Sequence, residues 1–181
     1  MPLSIAIALL PLVIAPSAMA QQPGENARVH REKAGVLDAS GWTMASSTQG
    51  AFSVSVPCQY SDYTVPPGKG EGFEPVTVDA IDCADDTGLK FGAGRLAFPN
   101  GEAGAQHFFD ERSSDFIRRG TFNGLVGGES GMAEHGICLW ARLLRAGAEN
   151  VALTVMGPWR DCLSPPAAVG RFFDSLLVMP R

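Results

Sequence analysis

The side chains in this chain that could do chemistry are three histidines, four cysteines, a run of acids between residues 79 and 86 and one serine set among glycines. His107 and Asp110 stand at i and i+3, a spacing that puts two ligands on one helix face. Two ligands do not complete a metal site, and the same spacing is that of a solvated helix face. His135 and Cys138 suggest a thiol beside a base, a pairing with chemistry only if the sulfur is free. His30 sits in a charged stretch and reads as solvated. Asp79, Asp82, Asp85 and Asp86 invite a calcium site, but they lack the EF-hand order of alternate acids with glycine at the sixth position, so they read as turn formers. Ser130 lies in GESGM, which differs from a nucleophile elbow in having Met132 where that motif needs glycine. A strand, not a helix, is expected to follow it. These residues therefore assign no catalytic set, no metal ligands and no cofactor.

The elements that must position such groups follow from residues 137–157, ICLWARLLRAGAENVALTVMG. Alternation puts Ile137, Leu139, Ala141 and Leu143 on one side and Cys138, Trp140, Arg142 and Leu144 on the other. Val151, Leu153 and Val155 alternate with Ala152, Thr154 and Met156. Neither face is polar throughout, so this hairpin is expected to be central and covered on both sides, with Gly147 in its turn. Its symmetry places Cys138 opposite Gly157, a short loop from Cys162. Four cysteines allow three pairings, and this geometry favours Cys138 with Cys162, leaving Cys58 with Cys83. Each closure is worth about 3 kcal/mol in the chain-entropy description.

Elsewhere, residues 51–56 (AFSVSV) alternate strictly and predict a strand, and residues 42–45 a shorter one. Residues 76–83 and 89–98 predict a hairpin around ADDTG. Residues 100–120 predict the main helix, with Asn100 as cap and Ala105, Phe109 and Phe116 on its stripe. Residues 124–133 predict a glycine-rich strand, and Ser164 with Pro165 opens a final helix burying Ala168, Phe172, Phe173 and Leu176. Residues 57–75 are broken by proline and glycine and carry Tyr60, Tyr63 and Phe73; they are expected to form a long loop, either packed as a lid or offered to a partner.

The 181 residues carry a net charge of −5 and 45% hydrophobic residues, enough for one domain with its own core. The acidic balance argues against nucleic acid as partner. Residues 1–20 contain no charged side chain and end in Ala18-Met19-Ala20, so they are expected to be a signal peptide cleaved after Ala20, with no stable membrane insertion afterwards. An even cysteine count in an exported chain reads as two disulfides and fits an oxidising compartment, the periplasm or the exterior. Residues 21–41 read as a polar linker or a short frayed helix, and residues 42–181 as a single domain.

The phrases GAFSVSVPC, NGLVGGE, and VALTVMGP followed by VGRFFDSLLV resemble those of bacterial exported proteins of the PsbP/Mog1-like fold. Val126 departs from the proline of that family's turn, and Cys162 is an addition. The resemblance implies an α+β fold, an antiparallel sheet sandwiched between helices (an α/β/α sandwich). It also implies a non-enzymatic accessory or partner-binding protein. The long loop at residues 57–75, with Tyr60, Tyr63 and Phe73, is the expected contact with a protein partner. A metal-binding exported protein and a hydrolase are the alternatives.

Overall fold

The computed structural model describes residues 26–67 and 76–180; the expected signal peptide, the first residues of the linker and Phe73 lie outside them. The chain runs β1 (Arg28–Ala34), β2 (Thr43–Ser46), β3 (Phe52–Val56), β4 (Tyr60–Val65), β5 (Thr77–Ala84), β6 (Lys90–Ala97), α1 (Gly101–Ser113), β7 (Arg118–Phe122), β8 (Leu125–Glu134), β9 (Ile137–Ala146), β10 (Glu149–Gly157), α2 (Ala167–Asp174) and β11 (Leu177–Val178). Eight strands form one antiparallel sheet in the order β1-β4-β5-β6-β10-β9-β8-β7, and β11-β3-β2 form a second.

The expected sandwich of a sheet between helices is corrected by this architecture, in which the described residues are 50% strand and 14% helix, with two helices among them. The short alternating segments at residues 43–56 do not extend the main sheet. They pair with each other and lie over it, so that Phe52, Val54 and Val56 meet Phe91, Leu144, Val151, Leu153 and Val155 in one core, joined by Val169, Phe172 and Phe173 of α2. On the opposite face α1 covers only one end, where Ala105 and Phe108 pack on Leu96, Phe98, Leu143 and Ala152. Coverage of the 137–157 hairpin is thus complete on one side and partial on the other: Ile137 and Met132, at the far end, are 40% and 46% exposed.

The hairpin register has Cys138 opposite Gly157, and Gly147 takes φ +68° in the turn. Asp85 accepts bonds from Thr87 N, Thr87 Oγ1 and Leu89 N at 2.9, 2.7 and 3.0 Å, the turn-forming role expected of it.

Four further expectations need correction. Residues 28–34 are not linker but an edge strand, since ladder pairing with β4 needs backbone and no apolar period; its charged, bulged sequence suits an edge. Tyr60 and Tyr63 belong to β4 and are 4% and 1% exposed, so they offer no loop surface. The main helix stops at Ser113, where Ser113 Oγ and Ser114 Oγ donate back to the carbonyls of Asp110 and Glu111. The chain then turns so that Phe116 packs on Phe109 and over Gly128, where a Cβ would fall 2.1 Å from the ring, and Arg118 to Gly120 become strand. The last helix starts at Ala167, after Pro166, rather than at Pro165, because a residue preceding proline is pushed out of the helical region.

Candidate functional site

The site is built from rows of residues that face each other across strands. One row on the core face crosses the whole large sheet: Arg118, Glu129, Arg142, Leu153, Ala93, Ile81, Asp62, Arg31. It is apolar in the middle and charged at both ends. The adjacent row runs Leu144, Val151, Arg95, Asp79, Thr64, Arg28. The 47–50 turn between β2 and β3 settles over these rows. Asp62 Oδ2 accepts from Thr48 N at 2.9 Å and Asp62 Oδ1 from Ser47 Oγ at 3.2 Å, while Arg95 Nη1 donates to the carbonyls of Gly50 and Ala51 at 3.1 and 3.3 Å. Arg31 joins Asp62 at 3.1 Å and also donates to Ser46 O.

Beside this anchored turn lies an open cleft of about 460 Å³ lined by Arg28, His30, Gln49, Thr64 and Asp79. Its floor is a hydrogen-bonded chain. Thr64 Oγ1 donates to Asp79 Oδ1 at 2.7 Å and meets His30 Nε2 at 2.9 Å. Asp79 is 6% exposed, so its charge is held inside by these neighbours. Arg28 is exposed at the sheet edge, and its side chain makes no ion pair or hydrogen bond among the described residues. The hydroxyl lies between the imidazole and the carboxylate. In acyl-transfer triads the imidazole occupies the middle, and here the hydroxyl does.

The other charged end is closed. Glu129 Oε1 accepts from Arg142 Nε and Nη2 at 2.8 and 2.7 Å, and Glu129 Oε2 pairs with Arg118 at 2.8 Å. Arg142 Nη1 reaches Asn123 Oδ1 at 3.2 Å and Asp174 Oδ1 at 3.1 Å, and its guanidinium lies 4.6 and 4.9 Å from the ring centres of Phe122 and Phe173. Both Glu129 and Arg142 are 3% exposed. A third polar pair lies on the opposite face, where Tyr63 Oη donates to Asp82 Oδ2 at 3.5 Å. Burial pushes the Asp82 carboxyl up to about 6, with the Tyr63 hydrogen bond and Lys90 opposing it. Tyr63 is pushed above its ordinary range by burial and then by the Asp82 charge.

The sequence-named groups are dispersed. His107 pairs with Glu111 at 3.4 Å on α1, and Asp110 accepts from Gln106 at 2.6 Å. His135 sits in the β8–β9 turn with φ +50°, at the far end of β9 from Leu143, against which α1 packs; six strand residues span roughly 20 Å. Among the described residues no group of three His, Cys, Asp or Glu side chains could hold a metal ion. Ser130 is in mid-strand opposite Ala141. The disulfides are Cys58–Cys83 and Cys138–Cys162, with Cα atoms 5.9 and 5.0 Å apart, so no thiol serves His135. Two such bridges suit an oxidising environment, and no helix among the described residues is long and apolar enough to cross a membrane.

Sequence reasoning missed Arg28, Gln49, Thr64 and the structural use of His30 and Asp79. The signal was faint: in RVHREKA only Arg28 and His30 line the cleft, the register shifts on either side of Arg31 break the alternation, and the charge pattern is also that of a linker. No protein-family model, curated protein or solved structure matches the chain.

Proposed function

We propose that this chain is an exported, non-enzymatic accessory protein, periplasmic or secreted, that binds a protein partner through the cleft of Arg28, His30, Gln49, Thr64 and Asp79. The observation that carries this reading is the His30–Thr64–Asp79 chain on the floor of an open cleft. Groups held by three adjacent strands, β1, β4 and β5, and by an anchored turn are preorganised for recognition, which lowers the ordering cost of binding. The two disulfides support export. Residues 57–75, expected as the contact loop, take part through Thr64 instead of the buried tyrosines.

Site-specific photo-crosslinking in intact envelopes tests this. A photoreactive side chain at position 49, on the cleft, should yield a discrete protein adduct that the same group at Val36, 89% exposed and away from the cleft lining, does not. Identical adducts at both positions, or none at position 49, overturn the proposal.

A further inference from the structure

Resting on that reading, we infer that the group the partner places in the cleft is a carboxylate, received by the Arg28 guanidinium. Arg28 lines the cleft without a carboxylate partner among the described residues. The other arginines of the core face have theirs: Arg31 pairs with Asp62, Arg95 with Glu149, and Arg118 and Arg142 with Glu129. A guanidinium presents a planar fork of donors that matches the two oxygens of a carboxylate. His30 and Gln49 line the same opening.

The floor decides between anions. Asp79 lies two strands from Arg28 in the same row, about 10 Å away at roughly 4.8 Å per strand, and it is buried. Its negative charge repels a phosphate dianion more than a singly charged carboxylate, and the chain's net charge of −5 adds to that discrimination. Thr64 lies between the two in the row, its hydroxyl hydrogen directed to Asp79. The incoming carboxylate therefore sits at the Arg28 end and not on the floor. A volume of about 460 Å³ accommodates a chain terminus or an acidic side chain with its flanking backbone.

Amide and side-chain NMR titration of the full mature chain reads this directly. The probes are acetyl-glycylglycine, with a free terminal carboxylate; N-acetyl-aspartic acid α-amide, blocked except at the side-chain carboxylate; inorganic phosphate; and acetyl-glycylglycinamide as the uncharged control. Saturable shifts at residues 28, 30, 49 and 64 are expected with one or both carboxylate probes, and the tighter of the two tells a chain terminus from a side chain. Arg28→Ala should weaken that binding by roughly tenfold or more, and Arg28→Lys, which keeps the charge and loses the fork, by less. Absence of saturable shifts with both carboxylates, binding of phosphate as tight as theirs, or an Arg28→Ala variant that binds as well as the parent overturns the inference. A position-49 crosslink that survives Arg28→Ala leaves the binding function standing and removes the carboxylate, so the two failures are distinct.

Discussion

Two ends of the same sheet face carry arginines and carboxylates in cross-strand register, and they have opposite characters. At the β7–β8–β9 end, Glu129 is held between Arg118 and Arg142, and Phe122 and Phe173 lie close against the inner guanidinium. At the β1–β4–β5 end the ladder of Asp79, Thr64 and Arg28 finishes in an exposed cation beside an open cleft. The pairing lattice is the same at both ends. What differs is the cover: α2 and the β7 edge close over Arg142, whereas the 47–50 turn closes over Asp62 and stops short of Arg28. A charge that is enclosed and fully paired maintains the fold, and the same type of charge left at a rim is available to a ligand.

The largest test of this contrast is Glu129→Gln. It leaves the Arg142 guanidinium enclosed with only the exposed Asp174 carboxylate, and unfolding by denaturant should show a loss of about 3–5 kcal/mol. A loss under 1 kcal/mol would mean that the closed end is not structural. Next comes Thr64→Val, which removes the donor to Asp79 Oδ1 and the partner of His30. The same measurement should show a loss of about 1–2 kcal/mol, since an enclosed carboxylate keeps part of its desolvation cost. If stability is untouched, the floor of the cleft is not preorganised.

Asp82, on the other face, serves as the reference for a carboxyl with no arginine. Burial raises it from the ordinary 3.8 to about 6, so the folded state favours its protonated form. Its stabilising contribution is therefore complete below pH 3.8 and is lost as pH rises through about 6. Asp82→Asn should remove that slope and leave the protein more stable at pH 7 by on the order of 1 kcal/mol, read from denaturation series between pH 4 and 7. A variant that is less stable at pH 7 would show that the charged form is the favoured one. The smallest effect belongs to Arg28→Ala, with stability expected to stay within about 0.5 kcal/mol of the parent. A larger loss would place Arg28 with the closed end and cancel the contrast.

Much of the local order was legible. The 137–157 hairpin, the Cys138–Gly157 register and the strand at 52–56 follow from a period of two and a turn glycine, and the pairing of Cys138 with Cys162 follows from that register. The first strand was not legible, because an edge strand buries little and its residues need no apolar alternation. The main helix was read too long for a related reason: Phe116 continues the helical stripe on paper, but the space over Gly128 and the ring of Phe109 draw it back onto the sheet. Tyr60 and Tyr63 were misread as loop because proline and glycine farther along the segment concealed a strand of only six residues.

The candidate site was less legible still. Its groups come from positions 28, 30, 49, 64 and 79, which no spacing rule connects, and they meet because β1 pairs with β4, β4 with β5, and the 47–50 turn folds onto Asp62 and Arg95. The sequence by itself determined which segments are extended, where the hairpins turn and which cysteines can reach each other, since these depend on alternation and short loops. Only the tertiary structure decided the two-sheet packing, the closure of one charged end and the opening of the other. Those outcomes depend on long-range pairing and on what covers each row, neither of which leaves a periodic trace along the chain.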